Sequence, residues 1–281
     1  MDTLSLVALT SLLILVIAVV FYVIFWPGIK QRRVRARPFP TQWQTTLSKR
    51  LPFIAHFPQE LQDKLQYLIK SFIADKQFIG CAGLQVDDDM RVTIAAQACL
   101  LVLNQPDNHY RNLRSILIYP TTFVATRQVR DDLGLVSTEH SVLLGESWDQ
   151  GKVVLAWDNV EHGVRNLEDG QNVVLHEFAH QLDSASGATN GAPLLRTRGA
   201  YKSWAHIFQL EFDRLQFSAQ HQQPSLLDTY GATNPAEFFA VATETFFERP
   251  HEMQHHHREL YDQLTSFYRL DPANWLSTHS N

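Results

Sequence analysis

Cysteine is scarce in this sequence: Cys81 and Cys99 are the only two in 281 residues. They share no C-x-x-C spacing and both sit in apolar stretches. A disulfide framework and a cysteine-built zinc ribbon are thereby excluded, and a reducing compartment with two buried thiols is expected. Positive charge is also in short supply. The chain carries 24 basic and 29 acidic residues, for a formal charge of −5. Residues 1–37 hold five of those basic residues and one of the acids, Asp2, so the remainder is formally −9. Such a surface repels a phosphate backbone, and nucleic acid is not an expected partner. The sequence shows no internal repeat and no long low-complexity segment, which excludes a solenoid and a large disordered region.

One long hydrophobic run is present. Residues 4–26 are apolar except for Ser5, Thr10 and Ser11, and Tyr22 and Trp26 lie near the end of the run. About 20 apolar residues in a helix cross a bilayer core, and aromatic residues favour its interface. A cleaved signal peptide would begin with basic residues and end at small ones. Here the start is Met1-Asp2-Thr3 and the end is Phe25-Trp26-Pro27-Gly28. Lys30, Arg32, Arg33, Arg35 and Arg37 follow directly. Positive charge beside a span stays on the cytoplasmic side. The expectation is a single-pass inner-membrane protein with its N-terminus outside and its large domain in the cytoplasm. The lipid bilayer is then a partner of the N-terminal helix. The expected organisation is an anchor over 1–29, a basic juxtamembrane linker over 30–41, and one catalytic domain over 42–281.

The most informative segment is His176-Glu177-Phe178-Ala179-His180, among Val173, Val174, Leu175 and Leu182. It reads H-E-x-x-H on an apolar helical pattern. Positions i and i+4 share a helix face, so His176 and His180 can offer two imidazoles to one ion. Glu177 lies beside them as a general base for a water. A second copy, His251-Glu252-Met253-Gln254-His255, follows Pro250 and runs into His256 and His257. Its polar surroundings read as a solvated helix start rather than a site. Hydrolytic zinc wants three protein ligands and an open position. The third is expected from the segment beginning Asn234-Pro235-Ala236-Glu237-Phe238-Phe239, where Asn234 caps a helix and Pro235 opens it. Glu237 is the preferred candidate because its apolar setting calls for a partner, and Glu244, one heptad later, is the alternative. Asp183, three residues after His180, shares the histidine face and is a candidate either to orient a ligand imidazole or to act as a helix-end acid bonded to the Ser184–Gly187 loop.

These segments resemble the MtfA (Mlc titration factor A) family. The resemblance is carried by the H-E-F-A-H run with Gln181-Leu182-Asp183, and by Asp228-Thr229-Tyr230-Gly231-Ala232-Thr233-Asn234-Pro235-Ala236-Glu237-Phe238-Phe239-Ala240. Upstream it includes Ile116-Leu117-Ile118-Tyr119-Pro120, Asp132-Leu133-Gly134-Leu135-Val136 and Gly145-Glu146-Ser147-Trp148, and it extends from about Gln42 to about Trp275. The resemblance implies a zincin-like (gluzincin) peptidase domain related to the anthrax lethal factor catalytic domain. It implies one Zn2+ per chain, with Glu237 as third ligand, and a peptide or protein substrate. Tyr230 matches a tyrosine that in the lethal-factor-like group serves the substrate oxygen, and is expected to stabilise the oxyanion. The best-known members also bind the repressor Mlc, so a regulatory protein that sequesters a cytoplasmic transcription repressor is the alternative function. One departure stands out. Where a family histidine follows Gly-Leu-Val, this chain has Ser137, with His140 three residues later.

The expected fold is α+β, helix-rich with a small sheet, preceded by one transmembrane helix. Helical spacing covers residues 59–78, 92–104, about 169–187, 201–217, 235–247 and 259–268. Strands are expected over 115–119, 141–144 and 152–157, the last two joined by a turn near Gly151. The 152–157 strand is either an interior strand or a cleft edge able to pair with an extended peptide.

Overall fold

The computed structural model describes residues 3–105, 110–130, 136–143, 151–185 and 187–275. The resemblance-bearing stretches 132–135 and 145–148 lie outside the described residues. A long helix α1 (Thr3–Ala36) leads to α2 (Thr41–Arg50), α3 (Gln59–Asp75), strand β1 (Gln77–Gly80) and α4 (Asp88–Leu101). Strands β2 (Ser115–Tyr119), β3 (Phe123–Arg130), β4 (Val136–Leu143) and β5 (Lys152–Ala156) come next. Helices α5 (Trp157–Arg165), α6 (Val173–Ser184), α7 (Arg198–Gln220), α8 (Pro235–Glu248), α9 (Pro250–His256) and α10 (Arg258–Tyr268) complete the chain. The helix-rich architecture with a small sheet agrees with the sequence reading.

The strand partners go beyond that reading. Although in sequence only one expected turn separates residues 141–144 from 152–157, β4 pairs antiparallel with β3, and β5 pairs in parallel with β2. The main sheet has the order β1-β2-β5, with both pairings parallel. Burial explains the outcome. Val153, Val154, Leu155 and Ala156 are all buried, and a strand covered on both faces belongs in a parallel sheet flanked by helices. Strand β5 is an edge of this sheet among the described residues, and Trp157 begins α5 rather than extending the strand. Residues 77 and 78, expected as the end of the 59–78 helix, begin β1 instead.

No helix among the described residues is long and apolar enough to cross a membrane. The expected transmembrane span therefore has no support from the fold. The described side chains of the apolar run include all of Leu9 to Tyr22. Their apolar members point outward, Ile14 at 67% exposure, and α1 runs through the basic segment to Ala36. Its end is held to α3, where Lys70 Nζ donates to the Arg37 carbonyl.

The core gathers around α6 and α8. Phe178 of α6 packs against Phe72 and Tyr110, with ring centroids 5.8 and 5.1 Å away. Phe238 and Phe239 of α8 meet Trp204, Phe208 and Phe212 of α7. Phe246 lies against Tyr261 and Tyr268 of α10. Helix α8 is buried from Ala236 to Glu248, so its polar residues must all find partners inside the protein.

Candidate metal centre

Two capped helix starts position the site. The Asn172 side chain accepts from Val174 N and Leu175 N, each at 3.1 Å, and so fixes the first turn of α6. The Asn234 side chain accepts from Ala236 N and Glu237 N at 2.9 and 3.0 Å, with Pro235 opening α8. A backbone loop joins the two helices. Asp183 Oδ2 accepts from Gly191 N at 2.7 Å, and Gly191 O accepts from Trp204 Nε1 at 2.9 Å. Gly191 has φ +77°, and a Cβ there would lie 2.3 Å from the Pro235 carbonyl oxygen. Only glycine allows this approach, and it sets the distance from the end of α6 to the start of α8.

The packing brings His176, His180 and Glu237 together. His176 Nε2 lies 3.0 Å from Glu237 Oε2, His180 Nε2 lies 3.3 Å from the same oxygen, and the two Nε2 atoms are 3.2 Å apart. They form a nearly equilateral triangle of two nitrogens and one oxygen. A tetrahedral ion with bonds of about 2.0 Å separates its ligands by about 3.3 Å, so the triangle has the dimensions of one face of such a site. Among the described residues this is the group able to hold a metal ion.

The charges fit that purpose. Burial disfavours charge on His176, yet Glu237, Glu244 and Glu177 push its pKa up to about 10. Burial also raises Glu237, but the two imidazoles hold its carboxyl down at about 2. Burial pushes His180 below its ordinary value, with Glu237 opposing and His176 assisting.

Glu177 is buried at 4% exposure on the same helix. Tyr230 lies on a 3-10 turn, Thr229–Ala232, with its ring centroid 5.9 Å from that of His176 and 55% of its surface exposed. The turn is pinned at both ends. Asp228 Oδ1 accepts from Tyr230 N at 2.8 Å, and Gln216 Nε2 donates to Ala232 O at 3.2 Å. Tyr230 thus presents an accessible phenol beside the histidines. Asp183 bonds the loop that follows α6. Its carboxylate gathers the backbone amides around Gly191, while burial pushes its pKa up to about 6 against the pull of those amides.

The carboxylate on a ligand imidazole is Glu244, whose Oε1 accepts from His176 Nδ1 at 2.7 Å. From the sequence Glu244 is only an alternative ligand, and Glu248 is not singled out. Glu248 Oε1 accepts from Asn172 Nδ2 at 2.8 Å and its Oε2 from Gly170 N at 3.1 Å. A signal for both was present. Glu237, Glu244 and Glu248 are spaced 7 and 4 apart on an otherwise apolar helix, which puts three acids on one face. Ser137 and His140 lie on β4, paired with Val129 and Thr126, but their side chains are outside the described residues.

Comparison with known proteins agrees with this geometry. The family model for glucose-regulated metallo-peptidases, M90, matches residues 26–269. An uncharacterised protein of Synechocystis is 42% identical over 263 residues, covering 93% of this chain and 96% of the relative. Mlc titration factor A of Cronobacter sakazakii is 31% identical over 250 residues, with 88% and 92% covered. The Escherichia coli protein of that name is 30% identical over 259 residues, with 91% and 95% covered.

Proposed function

Because this chain belongs to the glucose-regulated metallo-peptidase M90 family, with the Mlc titration factor A proteins among its relatives, we propose that it is a zinc-dependent peptidase. The observation that carries this reading is the triangle of His176 Nε2, His180 Nε2 and Glu237 Oε2 at 3.0 to 3.3 Å. Two imidazoles and a carboxylate form a donor set suited to zinc and leave a position open to solvent and substrate. Zinc bound there supplies Lewis acidity and lowers the pKa of a water towards about 7. Glu177 takes the proton of the attacking water and returns it to the leaving amine. The Tyr230 phenol donates to the carbonyl oxygen as negative charge develops on it. Asp183 acts on the centre at one remove, through the Gly191 loop that seats α8.

The test is metal analysis of the purified protein beside digestion of a peptide library. The expected result is close to one zinc per chain, with cleavage that stops on chelation and returns with zinc. Cleavage unaffected by chelation, or a protein that takes up no zinc, overturns the reading.

The proposal places this chemistry in a domain of residues 42–281 at the cytoplasmic face of the inner membrane. Residues 1–29 are its anchor and 30–41 its basic linker. Support comes from the apolar run over 4–26 and the five basic residues after it. It also comes from the family match, which begins at residue 26, where the run ends. The protein should sediment with membranes and resist protease added outside spheroplasts; digestion from outside overturns the topology. A second reading is a regulatory protein that binds a cytoplasmic transcription repressor. It is favoured by the name of two relatives, Mlc titration factor A. A Glu177→Gln protein that binds such a partner normally while losing cleavage would establish the two roles as separate.

A further inference from the structure

Glu244 meets two donors with one carboxylate. Its Oε1 accepts from His176 Nδ1 at 2.7 Å, and its Oε2 accepts from the backbone N–H of Asn172. Asn172 is the N-cap of α6, and its side chain fixes Val174 N and Leu175 N. The carboxylate is buried at 6% exposure, so water is a poor substitute for either oxygen. The first bond determines how the imidazole is presented. With Nδ1 donating to Glu244, Nε2 faces Glu237 and His180 with its lone pair free for an ion. The second bond ties the start of the helix to the same side chain.

We propose that Glu244 is a positioning residue that couples metal occupancy of the His176–His180–Glu237 centre to the capping of α6. The inference rests on the metallopeptidase reading above. An ion on Nε2 draws electron density from the ring and makes Nδ1–H a stronger donor to Glu244. That fixes the carboxylate, and a fixed carboxylate holds the Asn172 N–H and the first turn behind it. The coupling is reciprocal: a well-capped helix presents a better-oriented His176 and binds the ion more tightly. Glu248 provides the contrast. It bonds Asn172 Nδ2 and Gly170 N on the same buried cap, whereas the imidazole bond belongs to Glu244.

The experiment uses the full chain and two readouts. Zinc affinity is measured by competition with a chelator, and amide hydrogen exchange of residues 170–176 is followed with and without zinc. Glu244→Gln has one acceptor where two donors need two. It should bind zinc about 10- to 100-fold more weakly, the usual effect of losing an outer partner of a ligand histidine. Its α6 start should no longer gain protection when zinc is added. Glu248→Gln should keep that zinc-dependent protection. Wild-type zinc affinity in Glu244→Gln, or an unchanged response of residues 170–176 to zinc, overturns the coupling. Should Glu244→Gln fail to fold, Glu244→Asp keeps both acceptor oxygens on a shorter stem. It should show the same loss of affinity, and wild-type affinity there overturns the proposal. A His176→Ala protein that holds zinc as tightly as wild type overturns the centre itself, and the coupling with it. Loss of zinc in His176→Ala beside wild-type behaviour in the Glu244 variants overturns the coupling alone.

Discussion

The chain writes H-E-x-x-H twice, and the two copies make very different structures. At 176–180 the motif occupies α6, capped by Asn172, with His180 and Glu177 buried and a carboxylate from α8 between the imidazoles. At 251–255 it occupies α9, a seven-residue helix with no side-chain cap. There His251 and His255 are exposed, and Glu252 is clasped by Arg249 through bonds of 2.7 and 2.6 Å. What α9 buries is Pro250 and Met253, so its two motif histidines are left in solvent, whereas α6 buries His180 and Glu177. The lesson is that i, i+4 spacing supplies only two ligands. A site needs a third from a facing element and burial enough to hold all three in place.

Breaking the first copy should have the largest effect. His176→Ala and His180→Ala are each expected to abolish zinc binding, while His251→Ala and His255→Ala leave it unchanged, as read by metal analysis. Zinc loss from the second pair instead would invert the comparison. The glutamates come next. Glu177→Gln should retain zinc but lose turnover by about 10²-fold or more, since the general base is gone. Glu252→Gln should turn over normally and lose less than about 1 kcal/mol of stability, because an exposed ion pair contributes little. Equal turnover in the two variants would remove the distinction between the copies.

Tyr230→Phe sharpens the comparison, for the phenol stands beside the first copy. Zinc and fold should survive, and kcat should fall, by at most about 10²-fold, more than KM changes, because the bond forms chiefly in the transition state. An unaltered kcat would make Tyr230 a packed surface residue.

The smallest effect concerns the cap that α9 lacks. Burial, with Glu244 and Asp169 nearby, pushes Glu248 up to about 8 against the bonds from Asn172 and Gly170. In the unfolded chain this carboxyl titrates at about 4.3. Below that pH both states are protonated and the favourable contribution is complete. Between there and pH 8 the unfolded state ionises first, so stability is lost as pH rises, and above pH 8 the loss is complete. Glu248→Gln should flatten this part of the stability–pH curve in denaturant titrations. An unchanged slope would assign it to other groups.

Much of the site could be read in the residues themselves. His176, Glu177 and His180 follow from a local period, and Glu237 from a buried-looking acid after an N-cap and proline. Their meeting at 3.0 to 3.3 Å agrees with that reading. Glu244 was visible as an acid on the same face as Glu237, but its role was not, because its partner is 68 residues away in sequence. Asp183 had two readings, a bond to an imidazole or one to the loop after the helix, and the structure places its Oδ2 on Gly191 N of that loop. Strand pairing was not legible for a similar reason. Residues 141–144 and 152–157 were neighbours in sequence, yet full burial of Val153 to Ala156 sent β5 to a parallel partner.

What the sequence alone determined was therefore local: helices α6 and α8, the Asn234 cap of α8, two imidazoles on one face, Glu237 and Glu244 on another, and an apolar run ahead of the family domain. Those follow from 3.6-residue periodicity and from side chains acting within a turn or two of their own position. The tertiary structure decided which acid faces the two Nε2 atoms and which faces Nδ1. It also decided that Gly191 must come within a Cβ's reach of Pro235. These are questions of distance between segments far apart in the chain. Their answer lies in how α6 and α8 are pressed together by the aromatic core, where a buried charge must find its partner.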